Sequence, residues 1–245
     1  MSGICSETLL YKMSLNIGII ASSRTASGEA PIVTSGLVAH YDAGNASSYS
    51  GSGSTWNDIS GNSLTATLIS SPTYSSLNGG SLLFNGSTQY ATIGHNTLFN
   101  FSTQLTISFW VKTSSNFNAY LTTKGENSFF FGIGPSGQTS GKASLFLSGT
   151  SGSWAQSVAT VSSGSWINIV ATWNGTNTIF YINGILDSTY ARPGTLTTGT
   201  SAVNIAYRST PSLNGNISIV MYYNRAINAT EVLQNFNARK ARYGL

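Results

Sequence analysis

Leu105-Thr106-Ile107-Ser108-Phe109-Trp110-Val111-Lys112 sets large apolar residues at every second position. A period of two belongs to a β-strand with one face on a core, because successive Cβ atoms point to opposite sides of a sheet. Leu105, Ile107, Phe109 and Val111 are the expected inward set, against Thr106, Ser108, Trp110 and Lys112.

The same period returns at Ile167, Ile169, Ala171 and Trp173, here with apolar residues such as Val170 on the other face too. Ile179-Phe180-Tyr181-Ile182 follows and runs into Asn183-Gly184, the strongest short hairpin signal a sequence offers; Asn174-Gly175 is a second turn of this chemistry. Further strands are expected over Leu37–Tyr41, Leu64–Ile69, Ser81–Phe84, Tyr90–Ile93, Tyr120–Thr123, Phe129–Ile133, Ala143–Leu147, Val203–Tyr207 and Ile217–Tyr223. Short strands parted by Gly, Asn and Ser describe a sandwich or barrel. Trp110, Trp166 and Trp173 fall in such strands and are expected in the core. One helix closes the chain. Asn228 is its N-cap, Glu231 completes a capping-box spacing, and Val232, Leu233 and Phe236 form its apolar stripe.

The 245 residues suit a single β domain, and 40% hydrophobic with 11% aromatic residues can fill its core. Only 7% are charged, against roughly 25% in an ordinary domain, so the wet face of each strand is Ser, Thr and Asn. Such a surface repels its neighbours weakly, which suits a particle subunit or an extracellular protein. The net charge is +4, and the local cluster Arg239, Lys240 and Arg242 is expected to serve the helix C-terminus, so no nucleic-acid face is read. Cys5 is the only cysteine, which excludes an internal disulfide. No apolar run reaches the ~18 residues of a membrane span, and Leu15–Ala21, broken by Asn16 and Gly18, is not read as a signal peptide. Met13 offers a second start. Residues 1–35 carry weak periodicity and one apolar patch, Ile17, Ile19 and Ile20. They are read as an N-terminal arm able to add a strand to another sheet, with residues 36–245 forming the sandwich.

Gly164-Ser165-Trp166-Ile167 through Trp173-Asn174-Gly175 and Tyr181-Ile182-Asn183-Gly184 resembles the central hairpin of laminin-G-like and concanavalin A-like jelly rolls. Tyr223-Asn224-Arg225-Ala226-Ile227 with Glu231-Val232 is similar to their C-terminal signature. Gly36-Leu37 to Asp42 and Trp56-Asn57-Asp58-Ile59-Ser60-Gly61-Asn62 are similar to the opening strand and its turn, and Leu83-Phe84-Asn85-Gly86 to the next hairpin. The resemblance spans residues 36–245 and implies an all-β fold: a two-sheet antiparallel jelly-roll sandwich with one short C-terminal helix and an extended N-terminal arm. Separately, the stretch Asn16–Ser23, the opening Gly36-Leu37-Val38 and the chain end Asn235–Gly244 resemble virion proteins of large tailed bacteriophages.

Glycan-cleaving sandwiches need paired carboxylates, and none of Glu7, Glu29, Asp42, Asp58, Glu126, Asp187 and Glu231 lies within ten residues of another. His40, in the first strand, and His95, in a turn, have no nucleophile or metal spacing around them and are read as structural. No catalytic residue and no cofactor is expected. Calcium is the metal the family admits, with Asp58 and Asn62 as candidate ligands; the alternative is that Asp58 caps the N–H groups of its own turn. The family also binds glycans. Trp154, among residues too small to bury it, Tyr190 and Arg192 near Pro193, and Tyr207 with Arg208 are the candidates; the alternative for each is a rim aromatic or a subunit contact.

These readings imply a non-enzymatic structural or adhesive virion protein, on the head or tail, held by its arm to other virion subunits. It is expected to be homo-oligomeric, assembled in the host cytoplasm and carried outside on the particle, with host-surface glycans as a further partner. A secreted or surface carbohydrate-binding module is the alternative, and a glycoside hydrolase stands third.

Overall fold

The computed structural model describes residues 30–114, 119–126, 128–152, 154–209 and 213–245. In chain order the strands are β1 (Leu37–Asp42), β2 (Thr55–Trp56), β3 (Ala66–Ile69), β4 (Thr73–Ser75), β5 (Ser81–Asn85), β6 (Tyr90–Ile93), β7 (Leu105–Thr113) and β8 (Ala119–Lys124). There follow β9 (Phe129–Ile133), β10 (Lys142–Leu147), β11 (Trp154–Thr160), β12 (Ile167–Trp173), β13 (Asn177–Ile182), β14 (Ile185–Ala191), β15 (Val203–Ile205) and β16 (Asn214–Tyr223). Helix α1 (Ala229–Arg239) and a 3-10 turn (Lys240–Tyr243) end the chain.

Two eight-stranded antiparallel sheets stack as a jelly-roll sandwich. The first runs β14-β13-β12-β7-β16-β5-β4, with β1 also paired to β16; the second runs β11-β10-β9-β8-β15-β6-β3-β2. The ten-residue β16 pairs through its first half with β5 and through its second with β1, while β7 lies along its other side. The expected alternation of β7 is observed: Leu105, Ile107, Phe109 and Val111 face the space between the sheets with Trp173, Phe131 and Tyr222. The Tyr222 hydroxyl, buried there, donates to Thr122 Oγ1 at 2.8 Å, satisfying a polar group that would otherwise be costly to enclose.

The apolar residues on the second face of β7, β12 and β16 have their own explanation. Trp110, Val170, Ile219, Met221 and Tyr223 form a second core under α1 and the 3-10 turn. Phe236 stacks on Trp110 at 5.6 Å and 9°, Tyr243 at 4.1 Å and 18°. The capping box forms in full, Asn228 Oδ1 accepting from Glu231 N and Glu231 accepting from Asn228 N. Glu231 also takes a bidentate pair from Arg225 at 2.7 and 2.8 Å, which fixes how the helix leaves β16. The buried stripe is Val232, Asn235, Phe236 and Arg239; Leu233 is 44% exposed, so the stripe lies one residue round the helix from the expected set. Asn183 (φ 50°) and Gly184 (φ 76°) make the expected tight turn, and a Cβ on Gly184 would sit 2.9 Å from Phe236. Glycine there serves both the turn and the helix contact.

Two sequence readings change, those of Trp166 and of the arm boundary. Trp166 is half-buried just before β12, not inside a strand, and its Nε1 donates to Asn78 Oδ1. Trp154 is the first residue of β11. The arm boundary at residue 35 moves back to at least residue 30: Val33 is buried, its N–H donates to Asn235 Oδ1, Tyr223 Oη donates to its carbonyl, and Arg225 Nε donates to Ser35 O. Arg239 and Arg242 lie in the last turns of the helix and the 3-10 turn, as expected for helix-end cations; Arg239 donates to Ala238 O and also to Ala30 O, and Arg242 pairs with Asp42. Ile17, Ile19 and Ile20 lie outside the described residues.

Candidate functional site

Among the described residues no helix lies over the outer face of the second sheet, and there aromatic residues gather. β9 reads Phe129-Phe130-Phe131; a strand that turns Phe129 and Phe131 into the core must turn Phe130 out. Phe130 pairs with Phe146 on β10, and Phe146 with Trp154 on β11. Their ring centres are 5.4 and 5.6 Å apart, contact distance for cross-strand aromatics. Tyr120 on β8 meets Phe130 edge-on at 6.3 Å. Phe130 and Tyr120 are buried, whereas Phe146 and Trp154 are half-buried and reach solvent.

Arg208 lies over the inner two rings, beside Trp154. Its guanidinium carbon lies 4.6 Å from the Phe130 ring centre and 5.2 Å from that of Tyr120. Nη1 donates to Tyr120 Oη at 2.7 Å and Nη2 to Glu126 Oε2 at 3.2 Å. The cation therefore lies on an aromatic floor, held from two sides, worth about 1 kcal/mol at partial exposure. Its Nε is buried without a hydrogen-bond partner. Ala206 makes this placement possible: it follows β15 at φ 62°, a left-handed conformation costing an L-residue roughly 1–2 kcal/mol, and swings the next residues over the sheet. Tyr207 then stacks on Tyr90 of β6 at 4.6 Å. Beside the rings, Gln156 donates to Ser144 Oγ and accepts from Thr139 Oγ1. The result is a band across the sheet from Tyr90–Tyr207 through Arg208 to Phe146–Trp154.

Of the sequence candidates, Trp154, Tyr207 and Arg208 come together on this band. Tyr190 lies on β14 in the other sheet, 37% exposed, its ring against Phe180. Arg192 is buried at 5% exposure; Nη1 donates to Ser151 O, and its carbonyl accepts from Trp173 Nε1. It braces the loop leading to Trp154 from beneath. Phe146, Phe130, Tyr120 and Tyr90 escaped the sequence reading because strand aromatics are assigned to the core. The run of three phenylalanines was the available signal, since alternation forces one outward.

Asp58 and Asn62 are occupied by the fold. Asp58 Oδ1 accepts from His40 N and Ser60 N, and Oδ2 from Ser60 Oγ and Leu64 N, at 2.8 to 3.1 Å. Asn62 Nδ2 donates to Val38 O at 2.8 Å. The turn thus covers the outer edge of β1, where unpaired backbone would otherwise invite another strand. Among the described residues no three His, Cys, Asp or Glu side chains cluster as metal ligands.

A second concavity, about 410 Å³, lies between β1, residues 32–34 and the 3-10 turn. His40 and Asp42 line it. Asp42 receives Arg242 Nη1 at 2.8 Å. Burial, with help from Arg239 and Arg242 and against Asp42 and Asp58, pulls the His40 pKa down from 6.5 to about 4, so its imidazole is neutral at pH 7. The remaining described carboxylates are engaged singly: Glu126 by Arg208, Glu231 by Arg225, and Asp187 by the N–H groups of Val158 and Ala159 on β11.

A two-sheet jelly roll with an open aromatic band is the architecture of a lectin-like domain. The chain belongs to the concanavalin A-like lectin/glucanases superfamily, whose Laminin_G_3 family model matches residues 85–233. No curated protein sequence matches it. Among solved structures it is similar to domain 4 of the GH43 extracellular arabinanase AbnA from Geobacillus stearothermophilus, in complex with arabinotriose. That likeness has a TM-score of 0.64 and 19% identity, over 82% of this chain and 98% of that domain. The binding domain of Paraclostridial Mosquitocidal Protein 1 gives TM-score 0.67 and 18% identity, over 83% of this chain and 52% of that one. Botulinum neurotoxin type C, whose cell entry is dependent upon interaction with two ganglioside molecules, gives 0.62 and 16%, over 84% and 51%. The chain thus spans about half the length of the two toxin structures. At these identities the likeness establishes the fold alone.

Proposed function

We propose that the chain is a non-catalytic glycan-binding sandwich, and that the outer face of the second sheet takes the sugar. The observation that carries this is the band itself: Trp154 and Phe146 half-exposed on a floor of buried rings, beside a guanidinium that those rings hold in place. Sugar rings stack their C–H faces on such aromatics, while a fixed Arg–Glu pair and Gln156 supply hydrogen bonds to hydroxyls. The separate engagement of every described carboxylate supports a binding role over hydrolysis. So do the arabinotriose-bound domain and the ganglioside-dependent toxin among the structural relatives. Titration against a glycan array tests the proposal. Micromolar binding that Trp154→Ala weakens at least about tenfold is expected, in keeping with the weight of a central aromatic anchor. Binding untouched by that substitution would refute the assignment.

The setting proposed for this domain is a phage particle, with residues 1–29 as the anchor to neighbouring subunits. Support comes from the resemblance of both chain ends to tailed-phage virion proteins and from the 7% charged residues. Removing residues 1–29 is expected to leave a folded sandwich that fails to join its assembly, read by sedimentation and by incorporation into particles. Normal incorporation of the truncated chain would overturn the anchor role.

A further inference from the structure

We infer that a rim cleft next to Glu126 is a subsite for the hydroxyl groups of one neutral terminal sugar residue, continuous with the aromatic band through Arg208. The inference rests on the proposed glycan-binding face and specifies what its end accepts. The cleft, about 310 Å³, is lined by Lys124, Glu126 and Ser128 at the β8–β9 turn and by Thr198, Thr200 and Ser201 of the loop before β15. That volume lies at the small end of ligand pockets, room for a single ring.

Two charges of opposite sign face it. Lys124 is 1% exposed, and its Nζ donates to Gly199 O at 2.7 Å and Ser201 O at 3.3 Å. An ammonium has three N–H donors, so two carbonyls leave one in hand. Among the described residues no acid partners this ammonium; burial pulls its pKa down, and the loop carbonyls hold it. On the other wall the Glu126 carboxylate, 63% exposed, gives Oε2 to Arg208 and keeps Oε1. Within the described residues no hydrogen bond takes up the hydroxyls of Ser128, Thr198, Thr200 or Ser201.

The chemistry of an occupant follows from that set. A phosphate or carboxylate would meet Glu126, a cation would meet Lys124, and an apolar group would strand both. A neutral molecule with adjacent hydroxyls satisfies all of them: carboxylate oxygens accept O–H, the ammonium donates to a hydroxyl oxygen, and Ser and Thr do either. Glu126 belongs to both sites through Arg208, so a glycan seated in the cleft continues over the guanidinium towards Phe146 and Trp154.

The test uses the full chain and calorimetric titration with neutral arabino-, xylo-, cello- and malto-oligosaccharides of two to five residues, and with uronic-acid oligosaccharides of matching length. The double variant Ser128→Ala, Thr200→Val alters the cleft without touching Arg208, and equal thermal midpoints certify its fold. It should weaken binding of the best neutral probe about tenfold, as loss of one or two hydrogen bonds to a bound ligand does. A probe lacking one hydroxyl on its terminal residue should bind wild type more weakly and the double variant no more weakly than the parent probe. Wild-type affinity in the double variant, together with loss in Trp154→Ala, would remove the subsite and leave the face standing. Preference for the uronic-acid series would also overturn it. Failure of every probe to bind wild type would remove both.

Discussion

Both sheets carry aromatic residues on their outer faces and treat them oppositely. On the first sheet Trp110 and Tyr223 are fully buried, because α1, the 3-10 turn and residues 30–33 close over them. On the second, Arg208 lies over Phe130 and Tyr120 beside the Trp154 ring, while Trp154 and Phe146 meet water. Aromatic content therefore does not distinguish the two faces; among the described residues the covering helix does. A covered face contributes stability, and an uncovered one keeps its contact area for a partner.

The sharpest way to break this contrast is to truncate one tryptophan on each face. Trp110→Ala is expected to cost about 3–5 kcal/mol of unfolding free energy, the range for emptying a packed aromatic site, while Trp154→Ala, open on one side, should cost well under half of that. Urea denaturation of both variants measures the difference. Equal losses would mean that the second face is as closed as the first.

A smaller effect tests whether the covered side is dry down to β1. The His40 pKa is about 4 in the fold and 6.5 in the free side chain. Between those values the unfolded chain binds a proton that the folded one does not, so stability present at pH 7 is lost as pH falls from 6.5 to about 4. At about 1.4 kcal/mol for each pH unit the loss is about 3 kcal/mol. Denaturation midpoints of wild type should fall more steeply over that window than those of His40→Gln. Parallel curves would show that His40 is wet and that the cover stops short of it.

The smallest effect concerns the edge of the covered sheet. Asp58→Ala removes four hydrogen bonds from the turn sealing β1, and a loss of about 2 kcal/mol is expected, with the freed edge raising self-association. A chelator should leave the wild-type melting temperature unchanged. A chelator-sensitive midpoint that Asp58→Ala abolishes would place a cation there and recast the turn as a metal site.

Much of this was readable in advance. The period of two over 105–112, Asn183-Gly184 and the capping box Asn228…Glu231 act locally, through neighbours within a few positions, and all three appear as expected. The rest was set at long range. Arg192 looked like a loop arginine near Pro193, and only the fold brings Ser151 over it, 41 positions away. Residues 30–35 looked detached because their partners, Asn235, Tyr223 and Arg225, lie some two hundred positions on. Trp154 has small neighbours along the chain, and only the fold brings Phe146, Phe130 and Tyr120 of other strands around it.

Alone, the sequence determined the class of fold, since backbone periodicity, turn chemistry and capping depend on contiguous residues. It also determined that seven acids were too dispersed to pair along one strand. The tertiary structure decided which aromatic residues face water. That outcome depends on where the final helix lands, and a helix has only one apolar stripe to bury; it settles on the first sheet, and among the described residues no helix covers the second.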